Sequence, residues 1–278
     1  MFVFIIILII FGGLFGIYIL MMRPQKSEQA QYFSRFFYAH RGLHGADVAE
    51  NSLTAFQKAT DAGYAIELDV QLSADGEVVV FHDPSLARVC GVSGNVLEKT
   101  WAELSKIPLS GTADTIPRFS DVLAAIGGKV PLLVELKPLP AAKLRELCEK
   151  TYALLKTYPG RYCIESFHPV IVYWFYKNAP EVFRGQLACK MTNSLGYSRP
   201  VSFVTQNMLG NFLSHPQFIA FNEQDRGLLS YRIVRRLWHA DTAAWTVRDE
   251  QTLKTPDFDF FIFEGIRPDP GSASVRKQ

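Results

Sequence analysis

The sequence predicts an α/β chain, a closed (β/α)8 barrel preceded by one N-terminal transmembrane helix. Three observations predict it. Residues Phe2 to Met22 give 21 consecutive positions without a charged side chain. Behind them, short apolar strands alternate with amphipathic stretches close to eight times over about 250 residues, the usual size of such a barrel. Several of those strands end in ionisable residues, as strands do where the C-terminal rim of a barrel forms a site.

The composition agrees with a folded chain. At 48% hydrophobic and 20% charged, it argues against disorder over most of the length. Lys and Arg total 29 against 27 Asp and Glu, so no basic excess points to nucleic acid. Four widely spaced cysteines without a C-x-x-C pair argue against a disulfide framework and against zinc.

In chain order, the uncharged run comes first. At roughly 1.5 Å per residue it makes about 30 Å of helix, one bilayer core. No Lys or Arg precedes it, and residues 17–22 offer no small-x-small cleavage site, so residues 1–23 read as a retained anchor rather than a signal peptide. Arg23, Lys26 and Arg35 follow, and the positive-inside rule places the folded domain in the cytoplasm. Residues 24–34 read as a polar linker and 35–278 as the barrel. Strands are expected at Phe36–His40, Ala65–Gln71, Val78–His82, Val130–Leu136, Tyr162–Ser166, Gly185–Cys189, Phe218–Phe221, Ala243–Val247 and Phe258–Phe263. Helices are expected at Ser52–Ala62, with Ser52 as N-cap and Gly63 as stop, at Leu139–Tyr158 and at Tyr231–Ala240. Tyr173 to Tyr176 lies on a further helix and reads as core packing. No G-x-G-x-x-G follows a strand and no G-x-x-x-x-G-K-[ST] occurs, which argues against a nucleotide-binding sheet.

Only Leu72 to Glu77 separate two of the strands, too few for a crossover helix, so these two should run antiparallel. Asp75-Gly76 is a two-residue turn signal. If Ala74 pairs with Glu77, Asp69 falls opposite His82, and Glu67, Asp69 and His82 share a face.

The ionisable clusters are His40-Arg41, Glu67-Leu68-Asp69, His82-Asp83 and Glu135-Leu136-Lys137. Glu67, Asp69 and Glu135 would repel one another if they converged, and an oxygen-preferring divalent cation, Ca²⁺ or Mg²⁺, resolves that repulsion. His40 and His82 beside such a site suit general acid–base work. Arg41 and Lys137 supply charge for a phosphate. Together these residues point to phosphodiester cleavage. His44, His168, His215 and His239 fall outside the pattern and read as structural or surface residues.

The chain also resembles the glycerophosphodiester phosphodiesterase family. The resemblance rests on His40-Arg41-Gly42, Glu50-Asn51-Ser52, Ala55-Phe56, Glu67-Leu68-Asp69-Val70, Asp75-Gly76, Val79-Val80-Phe81-His82-Asp83, Ile116-Pro117 and Val134-Glu135-Leu136-Lys137. Weaker echoes are Ser166-Phe167 and Trp245-Thr246-Val247, so it spans about residues 38–268. It implies a TIM-type barrel with the insertion near residues 84–118. It further implies Glu67, Asp69 and Glu135 as metal ligands, His40 and His82 as acid and base, Arg41 and Lys137 on the phosphate, and Trp245 on the glycerol side of the pocket. The implied products are glycerol 3-phosphate and an alcohol. Three departures stand out: Asn51-Ser52 for Asn-Thr, Glu264 for a terminal Asp, and a poor match over residues 192–223, which should help shape the alcohol pocket. Two other readings compete. One is a membrane-anchored lysophospholipase D-like enzyme acting on a lysophospholipid, which needs an apolar groove beside the metal site. The other is a membrane-held protein that binds phosphoesters without cleaving them.

Overall fold

The computed structural model describes residues 1–191 and 199–275. Nine strands form one sheet: β1 (Phe37–Ala39), β2 (Ala65–Leu72), β3 (Val78–Val80), β4 (Leu132–Leu136), β5 (Tyr162–Ser166), β6 (Phe183–Ala188), β7 (Phe218–Asn222), β8 (Asp241–Val247) and β9 (Phe260–Phe263). All pairings except that of β2 with β3 are parallel, and β1 pairs with both β2 and β9, so eight strands close the expected barrel. β2 pairs with β1 through Ala65 and Ile66, and with β3 through Val70 to Leu72.

The helices follow in order. α1 (Phe2–Met21) and α2 (Gln29–Phe33) precede the barrel, and α3 (Leu53–Asp61) follows β1. α4 (Ala87–Cys90) and α5 (Trp101–Leu104) lie in the expected insertion, and α6 (Phe119–Ile126) returns to the barrel wall. Then come α7 (Ala141–Leu155), α8 (Pro169–Asn178), α9 (Arg199–Gln206), α10 (Asn211–Ser214), α11 (Leu229–Arg232) running into a π-helical turn at Ile233–Leu237, and α12 (Ser272–Val275). Ser52 caps α3 as expected, its Oγ accepting the Ala55 amide at 3.1 Å. α7 starts two residues later than expected because Pro140, extended at ψ 141°, occupies its N-cap.

Side-chain alternation divides the barrel core in two. Ile66, Leu68 and Val70 face outward and join the cluster beneath the helices. Tyr38, Leu133, Phe183, Phe218 and Phe260 face inward and fill the lower half. Phe33 of α2 closes the bottom, stacked on Phe183 with ring centroids 5.3 Å apart. Pro24, Ala30 and Phe33 are all buried, so the stretch read as a linker packs onto the barrel. Leu86, Val89, Val96, Leu104 and Ile116 of the insertion form a separate small core against Val79 and Phe81.

The hairpin is antiparallel, but its register differs by one from the expected pairing. Val70 pairs with Val80 and Leu72 with Val78. The Ser73 amide donates to the Glu77 carbonyl at 2.9 Å, closing a three-residue loop over Ala74-Asp75-Gly76 with Gly76 at φ +79°. Asp75 is drawn into this loop because its Oδ1 accepts both the Ser73 hydroxyl, at 2.6 Å, and the Trp101 amide, at 2.9 Å. Phe81 therefore sits opposite Asp69, its amide donating to the Asp69 carbonyl at 3.0 Å. His82 reaches the barrel mouth only because the chain has left the strand after Val80.

Candidate active site

The C-terminal ends of the strands meet around a cavity of about 270 Å³ lined by His40, Arg41, Glu67, His82, Glu135, Glu165, Phe167, Trp245 and neighbours. Strand register explains the acidic floor. Asp69 pairs with Glu135, and Glu135 pairs with Glu165, so three adjacent strands carry carboxylates side by side, with Glu67 two residues below Asp69. All four are buried.

The backbone after β1 frames the other side. Arg41 and Gly42 both take positive φ, at 53° and 79°. A Cβ on Gly42 would meet Ala55 Cβ at 2.8 Å, so only glycine lets α3 approach this turn. The turn aims the Arg41 amide at Glu67 Oε2, 2.8 Å away. Asn51, also left-handed at φ 55°, donates its side-chain amide to Asp69 Oδ2 at 2.8 Å.

Charge in the site is unevenly shared. Lys137 donates to Glu135 at 2.8 Å and to Asp69 at 3.3 Å. Arg41 lies 3.4 Å from Asp69 and 2.7 Å from Glu50. Burial would raise Asp69, but Lys137, His82 and Arg41 outweigh it and hold that carboxyl well below its usual range. Glu67 and Glu165 are pushed well up, first by burial and then by the neighbouring carboxylates. Glu165 Oε2 has no hydrogen-bond partner among the described residues.

These observations fit a divalent cation. Oxygens of Glu67, Glu135 and Glu165 lie within 4.8 Å of one another, the donors are all oxygen, and the two carboxyls without an ion pair need a positive partner to ionise. Asp69, expected among the ligands, stands beside this trio and engages Lys137, Arg41 and Asn51. Glu165 was not singled out in the sequence, although Cys163-Ile164-Glu165 ends a strand in the same manner as the clusters that were.

Each histidine is held by a carboxylate at Nδ1. His40 contacts Glu264 Oε2 at 2.8 Å, and His82 contacts Asp83 Oδ1 at 2.5 Å. Glu264 thus gains a place that its sequence position left open. His40's partner holds its own carboxyl down at about 2, chiefly through that hydrogen bond. Burial pushes His40 down to about 4 despite the acidic neighbour, which leaves the ring neutral near pH 7 with Nε2 free to accept. Arg88 clasps both Asp83, at 2.6 Å, and Glu50, at 2.6 Å, linking the supports of His82 and Arg41. His44 lies near His40 and Glu264, closer to the site than the sequence suggested. His168 is structural as expected, capping α8 by accepting the Val170 amide.

Trp245 stands edge-on to Phe167 with centroids 5.7 Å apart. Both rings, with His82 and Glu135, also line a second cavity of about 780 Å³ whose other walls include Leu97, Pro138, Leu139, Pro140 and Met191. Lys137 opens onto this larger groove. Of the stretch expected to shape the alcohol pocket, residues 192–198 lie outside the described residues.

Comparison with known proteins adds the following. Residues 40–255 match the glycerophosphoryl diester phosphodiesterase family. A glycerophosphodiester phosphodiesterase of Bacillus altitudinis is 32% identical over 160 residues, 52% of this chain and 63% of its own length. A lysophospholipase D of Rattus norvegicus is 31% identical over 147 residues, 48% of this chain and 44% of its own. The chain therefore spans less than two thirds of either relative. A phosphodiesterase structure from Oleispira antarctica, in complex with the product sn-glycerol-3-phosphate, superposes with a TM-score of 0.70 at 22% identity, over 88% of this chain and 98% of that one. That likeness establishes a shared barrel fold.

Proposed function

The chain belongs to the glycerophosphoryl diester phosphodiesterase family, and we propose from that membership that it hydrolyses glycerophosphodiesters to glycerol 3-phosphate and an alcohol. The observation that carries the reading is the meeting of His40, His82 and Arg41 over the carboxylates Glu67, Glu135 and Glu165 in one small cavity. Glu67, Glu135 and Glu165 would hold Ca²⁺ or Mg²⁺, with Asp69 beside them. When bound, the ion supplies charge against the oxyanion that develops at phosphorus.

The residues divide the remaining work. Arg41 and Lys137 draw the phosphate towards the acidic floor. His40, neutral and oriented by Glu264, accepts the proton of the nucleophile through Nε2. That nucleophile is water, which gives glycerol 3-phosphate directly, or the adjacent hydroxyl of the substrate, which closes a cyclic phosphate that a water must then open. Its oxygen bonds to phosphorus as the bond from phosphorus to the alcohol oxygen breaks. His82, supported by Asp83, returns a proton to the departing alkoxide. Trp245 and Phe167 wall the glycerol side.

The test is release of glycerol 3-phosphate from glycerophosphocholine by the full chain in detergent, with Ca²⁺, Mg²⁺ or chelator. Residues 22–33 pack into the barrel, so a shortened chain would lose buried contacts. Metal-dependent release, reduced at least roughly 100-fold by His40→Ala and by Glu67→Gln, is expected. A folded wild type inert with either ion would exclude the reading.

One observation favours a second reading, in which the glycerol carries an acyl chain. The 780 Å³ groove is walled by Leu97, Leu139, Met191 and prolines and meets the catalytic cavity at Trp245 and Phe167. It provides the apolar space that a lysophospholipid requires.

A further inference from the structure

A third cavity, of about 840 Å³, lies where the end of α1 meets the barrel, and Leu20, Arg23, Lys26, Phe212, His215 and Trp238 line it. His215 stands just before β7 and Trp238 just before β8. The cavity is therefore at the barrel bottom, the end opposite the candidate active site.

Its walls are fixed by hydrogen bonds. Trp238 Nε1 donates to the Ile19 carbonyl at 3.0 Å, and Asn211 Nδ2 to the Met22 carbonyl at 2.9 Å, which holds the last turn of α1. The Gln25 amide donates to the Pro216 carbonyl at 2.7 Å, and Arg184 Nη2 to Gln25 Oε1 at 2.8 Å. Arg23 and Lys26 thus sit on a backbone tied to the barrel and not on a free tether.

The charge around the cavity is of one sign. The Arg23 guanidinium lies over the Trp238 ring, 5.0 Å from its centroid, and Lys26 Nζ donates to the His239 carbonyl. Buried Arg184 is met by the His215 carbonyl and by Gln217 and Gln25. A ring, carbonyls and amide oxygens hold these three cations, and among the described residues no carboxylate does. His215 is pushed below its ordinary value, first by burial and then by Arg184 and Lys177. Leu20 and Phe212, both exposed, give the cavity an apolar wall.

α1 sets the depth at which this cavity lies. It is an uncharged helix of 20 residues, none of them buried, and long enough to cross a bilayer. The residues after its last turn then fall at the level of the lipid headgroups, where Trp and Arg are favoured. That holds whichever way the barrel is tilted. A preformed cavity with unpaired cations on one side and an apolar wall on the other matches a phospholipid at its phosphate.

We propose that this cavity binds the headgroup of an anionic phospholipid, with the phosphate on Arg23 and Lys26 and the first methylenes along Leu20 and Phe212. A lipid held there ties the barrel bottom to the bilayer at a second point beside α1. The proposal rests on α1 being a retained membrane helix and not on the reaction at the mouth.

The test uses the full chain in detergent with chelator. Dioctanoyl phosphatidylglycerol or dioctanoyl phosphatidylcholine is titrated in, and bound lipid is counted by native mass spectrometry. The wild type should hold one phosphatidylglycerol, and the chain carrying both Arg23→Gln and Lys26→Gln should bind it roughly 10-fold more weakly or worse. Phosphatidylcholine, whose ammonium offsets its phosphate, should bind the wild type several-fold more weakly. Equal affinity of the wild type and the double variant would overturn the proposal, as would equal affinity for the two lipids. Loss of bound lipid in Leu139→Asp but not in the double variant would place the lipid in the mouth groove and overturn it. Displacement by an equal concentration of inorganic phosphate would assign the cavity to a soluble anion and overturn it too. Release of the chain from vesicles by alkaline carbonate would overturn it by removing the anchor. Arg23 and Lys26 are exposed and far from the mouth, so glycerophosphocholine turnover with Mg²⁺ should match wild type in the double variant. That turnover reports the catalytic reading separately, so either can fail alone.

Discussion

Lys137 sits between Asp69 and Glu135, which leaves Glu67 and Glu165 as the carboxyls that a cation must serve. Glu165→Gln should therefore weaken Ca²⁺ or Mg²⁺ binding by roughly 10–100-fold in calorimetry. The same change removes a buried carboxyl that burial and three neighbouring carboxylates push well up, with Lys137 offsetting them only in part, so the metal-free protein should melt no lower than wild type. Unchanged affinity would return the third ligand to Asp69. His40 allows a pH test. The unfolded chain takes up a proton near pH 6.5, whereas the folded ring, pushed down to about 4, refuses it. Stability should fall as pH drops from 6.5 towards 4. Because His40 keeps some solvent contact, the loss is on the order of 1–2 kcal/mol by pH 4.5. In chelator, urea unfolding at pH 7 and 4.5 should show a smaller loss in His40→Asn. At this scale the motif residues were legible because each ends an apolar strand with charge. Glu165 follows the same rule but stands alone, without a second ionisable residue two positions away, and Glu264 was visible as a carboxylate without a partner. Glu264, the partner of His40, is 224 residues away and meets it only in the closed barrel, whereas Arg88 lies five residues from Asp83 on the insertion's first helix.

At the scale of elements, α2 shows where pattern reading falls short. Gln29 to Phe33 is five residues and reads as polar linker, yet Phe33 plugs the barrel against Phe183. Two adjacent aromatics, Tyr32 and Phe33, on one turn make no periodicity, and only barrel closure creates the hole that Phe33 fills. Phe33→Ala should cost about 3–5 kcal/mol of unfolding free energy, measured in denaturant, because the ring leaves a cavity that the sheet cannot collapse into. A loss below about 1 kcal/mol would mean that α2 merely rests on the barrel. The eight parallel strands were legible because each is a short apolar run between amphipathic helices. The β2–β3 hairpin was legible as a hairpin but not in register, since Asp75-Gly76 suits a two-residue turn while Ser73 and Trp101 recruit Asp75 into a longer one. A slip of one moves His82 off the position facing Asp69, and the site survives because β3 stops at Val80.

For the whole molecule, the decisive question is how the two cavities at the barrel mouth work together. The small cavity holds most of the groups that act on a phosphodiester, and the groove shares His82 and Glu135 with it and adds Lys137 and the apolar walls. A water-soluble diester needs only the first; an acylated one fills both. Leu139 lines the groove and not the small cavity, so Leu139→Asp separates the two uses. With glycerophosphocholine, kcat/KM should stay within about 2-fold of wild type, because nothing near phosphorus changes. With a lysophosphatidylcholine presented in micelles, kcat/KM should fall roughly 10–100-fold, since a buried carboxylate beside the chain opposes its desolvation. Equal, small effects on both substrates would show that the groove takes no part in substrate binding and would leave the soluble diester as the natural one. A large fall on both would mean that Leu139 supports Lys137 and Glu135 through the loop after β4, and the groove would then belong to the architecture of the site rather than to its specificity.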